Sequence, residues 1–266
     1  MAITLEDVVS IVERAKQKLD VLFVSVQMPE SHGLTHCLIV LGNMNSAISR
    51  APKDLCHLLT PEKILTLKLA ALLHEADDHK FFKGSVDFEN AKRICEEVIP
   101  ENVDNKKKII TDVVKMISYV SASVNGNSVP GDAKADPTFL WPRYCDRLES
   151  IGVIGAVRCY QYNTEVGAPL MVASTPRPAT VSELWDQVKE ERWKQYQNGG
   201  NSQSMMDHYY DKLLHIAKLD PGVVRNDFLV EEANKRVQPL IDICLESGRT
   251  GKAPVESLKK LEKSLT

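Results

Sequence analysis

Residues 67–82 read LKLAALLHEADDHKFF, and the reading of this stretch decides the fold. It is apolar through successive helical turns, then sets two histidines and three carboxylates within the six positions from His74 to His79. Upstream, Thr60, Pro61 and Glu62 make a helix start: a capping hydroxyl, a proline where an N–H is not needed, and an acid in the first turn. A helix apolar nearly all round belongs in the middle of a bundle, not on its surface. Read as continuing helix, His74 with Asp78 and Glu75 with His79 are spaced four apart, so two adjacent faces each present an imidazole and a carboxylate. The ordinary alternative is a solvated last turn in which His79 and Lys80 complement the helix dipole.

Working outward, the same period recurs. Leu5, Val8, Val9, Val12 and Leu19 predict a first helix, with Thr4 and Asp7 as its capping signal. VLFVSVQM (21–28) suits a strand or more helix, and the company it keeps favours helix. A turn over 29–34 leads to a helix beginning near Thr35, and helical patterns follow over 86–99 and 106–123. The Gly/Asn/Pro/Asp-rich run 124–137 predicts a loop. One largely buried helix is expected over 139–162, with Gly152 and Gly155 allowing close helix packing, then an irregular connection over 163–183. Further helices are expected over 182–196, 205–219 and 226–246, the last kinked at Pro239. With no repeat and no linker, the expectation is one all-α domain over 1–266, its core about 5–245 and its polar tail 246–266.

The chain has 266 residues, 43% hydrophobic and 6% aromatic, with a net charge of −3. That is ample core material and no basic field, which argues against duplex nucleic acid or an acidic membrane surface as partner. Cys37, Cys56, Cys95, Cys145, Cys159 and Cys244 lie far apart with no C-x-x-C pair, so reduced thiols are expected. The N-terminal stretch has no signal-like charge pattern, and no apolar run approaches the roughly 18 residues of a membrane span. A cytoplasmic protein is expected, with the nucleus allowed.

Three further places combine reactive side chains with helices that read as buried. His32 and His36 are four apart and either stack two imidazoles on a helix face or serve as surface and capping residues. Asp146 sits in an apolar helix and needs a partner, which Arg147 or a metal ion could supply. His208, Lys212 and His215 form a basic strip able to meet phosphate, or simply a solvated face opposite Met205, Tyr209, Leu213 and Ile216.

Taken in order, HGLTHC (32–37), ALLHEADDHKFF (71–82), CDRLESIG (145–152) with IGAVRCY (154–160), and DHYYDKLL (207–214) resemble the HD-domain metal-dependent phosphohydrolases. The likeness is to the small single-domain branch that includes bacterial nucleotide pyrophosphohydrolases. It implies an all-α HD-domain helical bundle with a mononuclear metal site in its core. The implied ligands are His36, His74, Glu75 and Asp146, with Glu75 standing where the family has Asp. Asp78, His79 and Lys80 would orient the attacking water and bind phosphate oxygens, and His32, Arg147, His208 and Lys212 would face the substrate.

The implied activity is hydrolysis of a phosphoric ester or anhydride, as a pyrophosphohydrolase or phosphatase acting on a small phosphorylated substrate such as a nucleotide. Two imidazoles and two carboxylates suit a divalent ion, Mn first, with Fe, Co, Ni or Mg behind it. A homodimer is allowed for. Two other readings stay open: a catalytically silent nucleotide-binding protein of the same fold, suggested by Glu75 and by Gly33 where that branch carries Asp, and a di-iron oxygenase. The oxygenase would have to recruit carboxylates or His32, because no histidine lies between His79 and Asp146.

Overall fold

Helix follows helix from Leu5 to Lys263, and among the described residues there is no strand. The computed structural model describes residues 2–29 and 32–265, so the turn expected at Glu30 and Ser31 lies outside the described residues. The helices are α1 Leu5–Ser25, α2 Leu34–Ser49, α3 Pro61–Leu73, α4 Glu89–Val98, α5 Lys106–Ser118, α6 Ala122–Asn125, α7 Gly131–Ala135 and α8 Trp141–Ser150. They continue as α9 Val153–Glu165, α10 Val181–Asp186, α11 Glu190–Gln197, α12 Met205–His208, α13 Leu214–Ala217, α14 Pro221–Val224, α15 Asp227–Arg236, α16 Gln238–Thr250 and α17 Val255–Lys263. The chain divides into two compact units, one of residues 1–146 with 221–229, the other of residues 147–220 with 230–266.

In the first unit α3 is the central helix, packed by α1, α2 and α5. Thr60 caps it by accepting the Lys63 N–H, Pro61 stands in its first turn, and Leu65 to Leu73 are buried on every side except at Lys68. α1 opens on a capping box between Thr4 and Asp7 and runs unbroken to Ser25, so VLFVSVQM is mostly helix. Its buried stripe is Val8, Ile11, Ala15, Leu19 and Phe23, three or four residues apart. Leu5 and Val9, grouped with that stripe by their apolar character, are instead exposed because they fall off its angular position. The loop expected over 124–137 holds the end of α6, all of α7 and the start of a 3-10 turn, Pro137–Leu140.

In the second unit α9 is packed by α12, α16 and α17. The single helix expected over 139–162 is two helices that break at Ile151 and Gly152. Gly155 serves that break rather than contact with another helix: a Cβ there would lie 1.8 Å from the Ser150 carbonyl oxygen. The break in the last long pattern falls at Val237, so that Pro239 sits in the first turn of α16, where its missing N–H leaves no bond unmade. α17 is held firmly: Leu258 is fully buried, Gln161 donates to Glu262 at 2.7 Å and Ser257 to Glu246 at 2.7 Å. All six cysteines are free thiols, and among the described residues no helix is long and apolar enough to cross a membrane.

Candidate metal centre

Four donor atoms from three separate helices or helix ends converge in the first unit. His36 lies in the first turn of α2, His74 is the cap residue closing α3, Glu75 follows it, and Asp146 comes from α8. His36 Nε2 stands 3.1 Å from His74 Nε2, 3.3 Å from Asp146 Oδ1 and 3.7 Å from Glu75 Oε1. His74 Nε2 is 3.6 Å from Asp146 Oδ1 and 3.7 Å from Glu75 Oε1. Donors about 2.1 Å from one ion are about 3.0 Å apart on an octahedral edge and about 3.4 Å on a tetrahedral one. His36, His74 and Asp146 each offer a donor atom within 4.8 Å of the other two, and Glu75 Oε1 stands at the edge of that group, 3.7 Å from both imidazoles.

The second layer is as directed as the first. His74 Nδ1 donates to the Ala71 carbonyl at 2.9 Å, which fixes the ring so that Nε2 faces the other donors. Asn43, on the same face of α2 as His36 and two turns on, donates to the Cys145 carbonyl at 3.1 Å and ties α8 to α2 one residue before Asp146. Arg143 anchors α8 further through the Tyr119 and Ser128 carbonyls. Neither Asn43 nor Arg143 carried a sequence signal, because both act on backbone far away along the chain.

A proton on His74 offsets part of the carboxylate charge in the cluster. Burial of His74 works against its charged form, but the hydrogen bond and charge of Asp146 and the charge of Glu75 outweigh it and raise its pKa to about 9. Burial likewise works to raise Asp146, yet His36 and His74 hold its carboxyl well below the usual range. Glu75 is lowered in the same way, burial being overcome by His32 and His74. A divalent cation would take over the task the proton performs here, and with two neutral imidazoles and two carboxylates the residues fit such an ion.

Around this set the predicted residues divide. His32 Nδ1 stands 3.1 Å from Glu75 Oε1, with its ring against Phe81, and one oxygen of Asp78 joins the same group. His79 is 92% exposed and Lys80 57% exposed, each touching only Asp78 among these residues, at 3.6 and 3.8 Å. α3 ends at Leu73, so the paired helix faces expected at His74/Asp78 and Glu75/His79 do not form; the run 74–77 is a turn. Asp77 is accounted for separately, as the N-terminal cap of α4: it accepts the Asn90 N–H at 3.0 Å, the Ala91 N–H at 2.9 Å and the Ser85 hydroxyl.

Arg147, His208 and Lys212 belong to the second unit. Arg147 is buried, and Asp146 meets its need for partners with His36 and His74. His208 packs against Tyr196 and is pushed down to about 4 by burial and then by Lys212. His215 is buried and stacked on Trp193 at 4.7 Å while His208 and Lys212 are half-buried, so the three do not make one solvated face; a π-helical turn over Tyr209–Leu213 shifts their register.

No family model matches the chain. An uncharacterized protein of Acanthamoeba polyphaga mimivirus is 38% identical over 196 residues, covering 70% of this chain and 78% of the viral one. The chain belongs to the family of that viral protein. A crystal structure from Lactobacillus plantarum, solved as a structural-genomics target, matches at a TM-score of 0.55 over 94% of this chain and 98% of that one, with 18% identity. At that identity the likeness speaks to the fold alone.

Proposed function

We propose that this all-α chain is an HD-domain metal-dependent phosphohydrolase that cleaves a small phosphorylated substrate, a nucleotide before others. The observation that carries the reading is the convergence of His36 Nε2, His74 Nε2, Asp146 Oδ1 and Glu75 Oε1, with the His74 ring locked by the Ala71 carbonyl.

When bound, a divalent cation at this point acidifies a coordinated water and draws charge from a phosphoryl oxygen. The mixture of nitrogen and oxygen donors favours Mn, Fe, Co or Ni over Mg, with Mn first. His36 and His74 offer neutral nitrogens, while Asp146 and Glu75 offset the cation's charge. Asp78, largely buried beside Glu75, is placed to take the proton from an attacking water. Lys80, more exposed and 3.8 Å from Asp78, can meet a phosphate oxygen as a mobile cation. His79 is the most exposed of the three and is assigned the outermost contact with substrate.

The test is phosphate or pyrophosphate release from a panel of nucleotides and phosphoesters by the purified protein with Mn. Release that disappears in His74→Ala supports the reading. Nucleotide binding without turnover at full metal occupancy would replace it with the silent sensor, and iron-dependent oxygen consumption would replace it with the oxygenase.

A further inference from the structure

We propose that a polar cavity in the second unit binds a neutral polyhydroxylated ligand, a single sugar ring. The cavity holds about 290 Å³ and is lined from α11, the segment that follows it, α12 and the π-helical turn, all within the second unit. That is the small end of the roughly 300–1,000 Å³ of ligand pockets, room for one ring. The proposal is independent of the metal centre, whose residues lie in the first unit.

The floor of the cavity is an ion-pair network assembled without a ligand. Arg192 donates from Nε to Asp211 Oδ1 at 2.7 Å and from Nη2 to Asp207 Oδ1 at 2.8 Å. Asp207 is buried and also accepts the hydroxyls of Thr175 at 2.8 Å and Ser204 at 2.6 Å, both buried themselves. These bonds fix the guanidinium, and its third nitrogen, Nη1, is a donor without a hydrogen-bond partner among the described residues. Asp211 has acceptor capacity to spare, because a carboxylate offers about four lone-pair sites and Arg192 and Ser202 do not fill them. Burial pushes the Asp211 carboxyl up, the mark of a setting shielded from water, where each hydrogen bond counts for more.

The rim adds uncharged groups. The carboxamides of Gln195 and Asn201 and the Tyr196 hydroxyl make no hydrogen bond among the described residues. Gln203 accepts the Ser174 hydroxyl at 2.9 Å through Oε1, which leaves its N–H groups as donors. The Tyr196 ring is held between Trp193 at 5.7 Å and His208 at 5.3 Å. A sugar hydroxyl is one donor and two acceptors, so it can give its proton to Asp211 while taking N–H groups from Arg192 or a carboxamide. Charge argues against a phosphate here. Two carboxylates share one guanidinium, and the next cation, Lys212, stands 5.6 Å over the Tyr196 ring, so no surplus positive charge remains for a polyanion.

The experiment is saturation-transfer nuclear magnetic resonance on the full, metal-stripped chain, titrated with D-ribose, D-glucose and their phosphate monoesters. The expected result is transfer to at least one free sugar, with binding weakened about three- to tenfold in Gln195→Ala and in Asn201→Ala and about tenfold or more in Asp211→Asn. The Gln195 and Asn201 side chains hold nothing else in place, so loss of binding in those variants is not loss of the fold. No transfer to either sugar overturns the proposal, as does transfer that survives all three substitutions, or a phosphate monoester that binds tighter than its parent sugar. The readout needs neither metal nor turnover, so failure of the hydrolase reading leaves a positive result standing, and failure here leaves that reading untouched.

Discussion

Replacing Asp77 with alanine separates a helix cap from a metal ligand at the most ambiguous point of the cluster. Asp77 lies two residues from Glu75, yet its two oxygens are occupied by the Asn90 and Ala91 N–H groups and the Ser85 hydroxyl. Loss of a capping side chain costs about 1 kcal/mol, and loss of a negative charge at a helix N-terminus about another 0.3–1 kcal/mol. For Asp77→Ala the expected loss is therefore about 2 kcal/mol. At about 2 °C per kcal/mol for a chain of this size, Tm should fall by roughly 4 °C. Asp77→Asn keeps a carbonyl acceptor for one N–H and should lose about half as much. Thermal unfolding followed by far-UV circular dichroism reads the shift, and metal analysis of the same samples reads occupancy. The reasoning is refuted if Asp77→Ala leaves Tm within about 1 °C and sheds the metal.

Other perturbations bear on the same architecture. Gly155→Ala drives a Cβ into the Ser150 carbonyl, so it should cost about 2–4 kcal/mol in denaturant unfolding; a neutral result would mean the α8–α9 break can relax. Asn43→Ala frees α8 beside Asp146 and should weaken Mn binding about 10–100-fold by titration, with His36, His74 and Asp146 intact; unchanged affinity would remove Asn43 from the positioning of the site. Without metal, the raised pKa of His74 gives stability that is complete below its unfolded value of 6.5 and is lost as pH rises through about 9, of order 3 kcal/mol in all. Urea unfolding of the stripped protein between pH 6 and 10 should show that decline, and His74→Ala should flatten it. Because Mn displaces that proton, affinity should rise about tenfold per pH unit up to about pH 9 and level off above it, and a pH-independent affinity below 9 would contradict the exchange.

Much of the helical plan was legible because caps are local chemistry. Thr4 with Asp7 and Thr60 with Pro61 act on N–H groups within three residues of themselves, and both starts stand where the sequence places them. The central position of α3 was equally legible, since a helix without a polar face can only be surrounded. Helix ends were not, because apolar periodicity runs through breaks that distant backbone imposes. The pattern over 139–162 gives no hint that Gly155 must pass the Ser150 carbonyl, and the pattern over 61–80 gives none that α3 stops at Leu73.

The site divides along the same line. His36, His74, Glu75 and Asp146 stand out as reactive residues in apolar surroundings, but only tertiary folding shows that α2, α3 and α8 bring their donor atoms together. Asp77 looked no different from Asp78 in the sequence, because the N–H groups it caps belong to a helix 13 and 14 residues downstream.

The most direct measurement of the central claim is anomalous diffraction at the Mn edge from crystals of the Mn-loaded protein. The account predicts a peak among His36 Nε2, His74 Nε2, Glu75 Oε1 and Asp146 Oδ1, about 2.0–2.3 Å from each. A peak at any other group of side chains, or none among these four at full loading, would contradict it.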